Sequence, residues 1–183
     1  INLKLKGFLQ MKKLMLFITA ILFSVSVFAH GPTPQKVQES VTVNVSIDKA
    51  WALVKDFGAI NKWHPAVKDI KIEKRGEDTY RILTLESGDK LEEKFRSIDE
   101  DLKKIKWEIT KGNVPFSDFN TYIIVSKGAN ANESIIQWTA RFYRTYKLNP
   151  PIPEGQDDAT AKAAVQGIVD NGIAGLKKTL ESK

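Results

Sequence analysis

Thiolate chemistry is closed to this chain: none of its 183 residues is cysteine, so a cysteine nucleophile, a thiolate zinc site and a redox dithiol are excluded. Base chemistry rests on two histidines, His30 and His64. His64 sits between Trp63 and Pro65 in the stretch Asn61–Lys71, where three readings are open: a ring that caps the turn by bonding to backbone, a polar gate contact to a ligand, or a group that binds metal or moves protons. A serine nucleophile would need His64 as its base, and no G-x-S-x-G elbow, phosphate-cradling glycine loop or H-E-x-x-H pair is present. Acid–base work could fall to Glu93, His64 or Tyr80.

Glu93 is of interest for its neighbours. It shares one face of an expected strand with Leu91 and Phe95. Turned inward, its carboxylate would be desolvated and would need a partner such as an arginine, making it the polar anchor of an apolar pocket. Turned outward by register or a bulge, it would be unremarkable. Trp138 and Phe142 share a face of the last strand with Ile136 and Ala140. Gly172 and Gly175 fall on the apolar stripe of the last helix, where a missing side chain either lets helix and sheet approach closely or leaves room for a ligand.

The elements that must position these residues begin after a distinct leader. Met11, Lys12 and Lys13 precede an apolar run, Leu14 to Val27, which ends in Val27-Phe28-Ala29. That is the layout of a secretory signal peptide with cleavage after Ala29; the run is short against the ~20 residues of a membrane span. Residues 1–10 lie upstream of Met11 and are set aside from the fold. The expected organisation is therefore a leader over 1–29, a flexible tail over 30–39 and one domain over 40–183. The mature chain is expected in the periplasm of a Gram-negative bacterium, without a membrane span. Cleavage would leave His30 as the N-terminus, whose amine and imidazole could chelate copper, with His64 a conceivable further ligand; the alternative is a tail with no ligand role, and no metal or cofactor is assigned.

Of 28 basic residues, four lie in the leader, which holds none of the 22 acids, so residues 30–183 have 24 basic against 22 acidic side chains and a net charge of +2. No local run of Lys and Arg is interleaved with stacking aromatics, which speaks against nucleic acid.

From Ser40 the period is two, with Val41, Val43 and Val45 alternating with polar residues, a half-buried strand. Ser46 or Asp48 can cap a helix running to Phe57, and Ala59–Trp63 predicts a second short helix that stops before Pro65. Six strands follow: 69–74, 80–85, 91–98, 104–110, 119–125 and 135–144, separated by short Gly-, Asp- and Asn-rich turns, hence a mostly antiparallel sheet. After the stiff link Asn149–Gly155, apolar residues at helical spacing predict one long helix over 158–180. The fold class is α+β.

Ala50–Phe57, Trp63-His64-Pro65, Gly112–Phe119, Gln137-Trp138 and the closing helix together resemble the SRPBCC superfamily, also called START-like or Bet v 1-like, with its polyketide cyclase/dehydrase and lipid-transport group. Within it, the likeness is nearest to the exported methanol-oxidation accessory protein group. The resemblance, over about Val37 to Lys183, implies a helix-grip fold: a seven-stranded antiparallel sheet wrapped around the C-terminal helix, with an apolar ligand cavity between them. It implies binding of an apolar small molecule or lipid, with Trp63, His64, Glu93, Phe95, Phe116, Trp138, Phe142 and Gly172 as ligand-binding candidates. It also implies an alternative, an accessory protein whose outer surface docks on a periplasmic dehydrogenase or cytochrome. An acid–base cyclase or hydratase is the third possibility, and fold alone does not choose among them.

Overall fold

The computed structural model describes residues 31–182; the expected leader, the upstream residues and His30 with its copper-binding role lie outside them. Seven strands form one antiparallel sheet: β1 (Gln35–Val43), β2 (Val67–Arg75), β3 (Asp78–Leu85), β4 (Lys90–Asp99), β5 (Lys104–Lys111), β6 (Phe116–Lys127) and β7 (Ser134–Arg144). Their spatial order is β1-β7-β6-β5-β4-β3-β2. Helix α1 (Ile47–Val54) and a single 3₁₀ turn (Ile60–Lys62) connect β1 to β2, and helix α2 (Asp158–Glu181) closes the chain. This is the expected helix-grip architecture.

Each expected strand is present, most a residue or more longer. The larger difference is at the start: β1 begins at Gln35, within the stretch expected to be a flexible tail. Val37 is buried and residues 35–43 pair in register with β7, Gln35 opposite Phe142 and Val43 opposite Ser134. One buried valine inside a polar run is a weak periodic signal, and the waiting edge of β7 decides the matter. The first helix ends at Val54 rather than Phe57. The second is only one 3₁₀ turn, because the proline at 65 leaves no length for an α-helix.

Topology explains the corner at Trp63. β1 and β2 are the two opposite edges of the sheet, so the connection between them must cross the open side of the curved sheet. Ser46 caps α1 by accepting from the Lys49 N–H, and α1 buries Ala50, Trp51 and Val54. The chain then runs beneath the sheet to α2, where the Thr179 hydroxyl donates to the Lys62 carbonyl at 3.2 Å. The far end of α2 is aligned by Arg144, which is buried at the end of β7. It donates to the Asp158 carboxylate at 3.0 Å and to the carbonyls of Tyr146 and Leu148.

Two glycines set how closely α2 lies against its neighbours. A Cβ on Gly172 would stand 2.1 Å from the Trp138 ring and 3.0 Å from the His64 ring; one on Gly175 would stand 1.8 Å from the Trp63 carbonyl oxygen. Both positions therefore serve close approach, the first of the two readings the sequence left open. A third glycine of the same helix, Gly167, has nothing within 4 Å of a Cβ.

These contacts separate propensity from packing in one helix. Gly167→Ala is expected to raise stability by about 0.5–1 kcal/mol through helix propensity. Gly172→Ala and Gly175→Ala are expected to lower it by about 1–3 kcal/mol each, because overpacking outweighs the same propensity gain. Urea denaturation of the three variants checks the difference in sign.

Candidate functional site

β3 and β4 form a hairpin around Leu85–Asp89, and its register sets Arg81 directly opposite Glu93. Both side chains point under the sheet, at 2% and 5% exposure. The Arg81 Nε donates to one Glu93 oxygen and the Trp107 indole N–H to the other at 3.1 Å, while Arg81 Nη1 donates to the Phe57 carbonyl at 2.8 Å. The guanidinium lies between two rings, 4.2 Å from the centroid of Phe57 and 4.9 Å from that of Trp107. Burial pulls the Arg81 pKa down, and the Glu93 carboxylate opposes that pull. Glu93 is thus inward, with the arginine partner that such a position requires, and both its oxygens are engaged, one by Arg81 and the other by Trp107.

From Trp107 the aromatic packing continues inward. Trp107 and Trp138 have centroids 5.7 Å apart, Trp138 and Trp63 likewise 5.7 Å, and His64 lies 6.1 Å from Trp138. Trp138 is oriented by its indole N–H, which donates to the Thr121 hydroxyl at 2.6 Å; that hydroxyl in turn donates to the Thr139 carbonyl. The Trp63, His64, Glu93, Trp138 and Gly172 candidates therefore form one assembly with Arg81. Phe95 is half-buried and joins it through an edge contact with Phe57 at 5.5 Å. Phe116 and Phe142 lie in the same buried core, where the Phe116 ring meets those of Phe119 at 5.3 Å and Phe142 at 6.2 Å.

His64 faces α2. Its Nδ1 accepts from the Ala66 N–H at 3.2 Å and its Nε2 stands 3.1 Å from the Ile168 carbonyl, which can only accept. The proton is therefore on Nε2 and the ring is neutral. Desolvation lowers its pKa, the Ile168 carbonyl opposes this, and the positive charge of Arg81 adds to the lowering. Both nitrogens are spent on backbone, the turn-capping arrangement among the three readings. Among the described residues no group of three or more His, Asp and Glu side chains could hold a metal.

Among the described residues four buried side-chain polar atoms lack a hydrogen-bond partner: Thr145 Oγ1 and Asp158 Oδ1 outside this assembly, and two N–H donors within it. The two donors are Trp63 Nε1 and Arg81 Nη2. Burying an unpaired donor costs about 1–3 kcal/mol. Outside this wall, the corner and α2 enclose a groove of about 600 Å³ lined by residues including Trp63, His64, Pro65, Asn171, Ala174 and Gly175. Of the assembly, Trp63 and His64 line this groove, whereas Arg81, Trp107 and Trp138 are buried behind it.

The residues missed from sequence were Arg81, Trp107 and Phe57. The signal for Arg81 was available: counting outward from the Ser87-Gly88-Asp89 turn pairs residue 81 with residue 93. Nothing local marked Phe57, whose backbone carbonyl is the functional atom.

Arg81→Met and Glu93→Leu are each expected to cost about 3–5 kcal/mol, since each leaves a buried polar partner uncompensated, whereas the double variant Arg81→Met/Glu93→Leu loses less than the sum. A double-mutant cycle by urea denaturation measures that coupling. For His64, a folded pKa below the unfolded value of about 6.5 means that the unfolded chain takes up the proton first, so its stabilising contribution is present above that pH and declines below it. Stability is expected to fall on acidification from pH 7.5 to 5.5 by up to about 1.4 kcal/mol per pH unit below 6.5, and His64→Gln is expected to flatten the profile.

Comparison with known proteins finds similar folds and one family. The solved structure of the protein XoxI from Bacillus cereus matches at a TM-score of 0.67 and 20% identity, over 79% of this chain and 94% of that one. The ZhuI aromatase/cyclase from a Streptomyces species matches at 0.67 and 15%, over 81% and 94%. A truncated norcoclaurine synthase from Thalictrum flavum matches at 0.60 and 16%, over 84% and 98%. No curated protein matches the chain. Residues 34–181 match the family described as polyketide cyclase / dehydrase and lipid transport. With the sheet, the gripping helix and that match covering most of its length, this chain belongs to the polyketide cyclase / dehydrase and lipid transport family of the SRPBCC superfamily.

Proposed function

We propose that this is an exported binding protein for an apolar or amphipathic small molecule that carries at least one hydrogen-bond acceptor. The observation that supports it is the pair of unpartnered buried donors, Trp63 Nε1 and Arg81 Nη2, in an aromatic interior flanked by the 600 Å³ groove. A carbonyl, ether or hydroxyl oxygen on the ligand would satisfy a donor that the protein leaves unsatisfied, and the Trp63, Trp107 and Trp138 rings would bury its apolar frame. Glu93 acts by fixing Arg81, and His64 by fixing the corner against α2. The family's small-molecule theme agrees with this reading, as does the sequence pattern of export to the periplasm over residues 11–29.

A second reading is an accessory protein for a periplasmic redox enzyme. Its support is the sequence resemblance to the methanol-oxidation accessory group and the presence of the protein XoxI among the similar folds.

Native mass spectrometry of the gently purified full chain, followed by solvent extraction, tests the first reading. The expected result is a bound mass released by solvent, with an anilinonaphthalenesulfonate probe quenching tryptophan fluorescence after extraction. Trp63→Phe is expected to weaken probe or ligand binding about five- to tenfold, the effect of one lost hydrogen bond. Nothing bound and no probe response would sink the proposal.

A further inference from the structure

The outer face of the sheet gathers cations that are far apart in the chain. Lys36 on β1 stands opposite Arg141 on β7. Arg141 in turn faces Asn120 on β6, and Lys106 on β5 faces Tyr122 on β6 and Ser97 on β4. Lys36, Lys106 and Arg141 are exposed, while Val37, Ile105, Trp107, Ala140 and Phe142 beside them in sequence are buried, which places these three on the solvent side; Arg96, also exposed, lines the same groove as Lys106 and Arg141. Lys104 joins them with its ammonium 4.2 Å over the Tyr122 ring. A groove of about 400 Å³ runs between Arg96, Ser97, Lys106, Asn120, Tyr122 and Arg141.

The charge is not balanced within the face. Glu108 pairs with Arg96 at 3.5 Å, but Lys36, Lys106 and Arg141 form no ion pair among the described residues. Like charges directly opposite on neighbouring strands, as Lys36 and Arg141 are, work against sheet stability. Residues 30–183 carry a net charge of only +2, so a face this basic leaves the remainder of the molecule acidic. The concentration is local, not a reflection of an overall basic chain.

Its width and texture select the partner. From β1 to β4 there are four strand spacings, about 19 Å at 4.7–4.9 Å each, more than one phosphate or carboxylate can bridge. The groove presents hydroxyl and amide groups, and Tyr122, half-buried beneath Lys104, is not free to stack on a base. The exposed large apolar side chains are Ile72, Ile98, Leu102 and Leu148, none of which lines the groove, so nothing here is placed to enter a bilayer. We infer that the outer face of β1, β7, β6, β5 and β4 docks an acidic surface of a partner protein, held by Lys36, Lys106 and Arg141 and steered by long-range attraction. This supplies the second reading above with its surface, and it stands whether or not the interior binds a small molecule.

The test uses the full chain and fluorescent poly-L-glutamate, by anisotropy at low ionic strength. Wild type is expected to bind, and binding is expected to weaken at least tenfold between about 20 and 300 mM salt. Lys106→Glu/Arg141→Glu is expected to lose tenfold or more. Lys68→Glu/Lys74→Glu, the same charge change on the β2 edge, is expected to stay within about twofold. Equal loss in both double variants, or no binding by wild type, overturns the inference. So does equal or tighter binding to phosphatidylglycerol vesicles or to duplex DNA. Probe binding in the interior is expected to be the same in all three proteins, so failure of the docking surface and failure of the small-molecule reading are separable.

Discussion

Helix α2 can lie close to the sheet only because Gly172 admits the Trp138 ring and Gly175 admits the main chain at Trp63. Most of the interior is arranged around that approach. Trp138 is held by Thr121, contacts Trp63, His64 and Trp107, and so connects the corner, the helix and the buried ion pair. Had either glycine a side chain, the helix would stand off and His64 could not reach the Ile168 carbonyl. The close contact is what converts an amphipathic helix and a curved sheet into a shaped interior.

Within that interior the Arg81–Glu93 pair has a cost as well as a use. Two charges removed from water are repaid only when their remaining hydrogen-bonding capacity is satisfied. Glu93 meets this condition through Arg81 and Trp107, whereas Arg81 keeps one nitrogen unengaged. An ion pair complete on its acidic side and incomplete on its basic side points a donor into apolar surroundings. A protein that needed only stability would do as well with apolar side chains there, and the open donor is the feature on which the proposed ligand reading rests.

The inner and outer faces of the sheet follow different chemistry because a strand alternates its side chains. Ala140 and Phe142 pack inward while Arg141, between them, meets water; Ile105 and Trp107 bracket Lys106 in the same way. One set of strands therefore builds an aromatic interior and a basic exterior with no conflict between them.

Periodicity alone determined the class of this protein: strand runs with period two, short polar turns between them and one long helix of period 3.6 allow little besides an antiparallel sheet closed by a helix. The motifs around Trp63-His64-Pro65 and Gln137-Trp138 pointed to the family for the same local reason. Glu93 could be recognised as a carboxylate on an apolar face, and even its partner was countable from the hairpin turn. What tertiary structure decided were the relations between distant segments. That Gly172 serves packing, that His64 spends both nitrogens on backbone, that Gln35–Glu39 are strand, and that the Phe116 ring meets Phe119 and Phe142 all depend on which surfaces meet. Residues such as Lys36 and Arg141 stand over a hundred positions apart in the chain, and only the pairing of its first and last strands makes them neighbours. Local chemistry is written in local sequence; contact is a property of the folded chain, where long-range pairing and close packing select one arrangement from the many that local preferences permit.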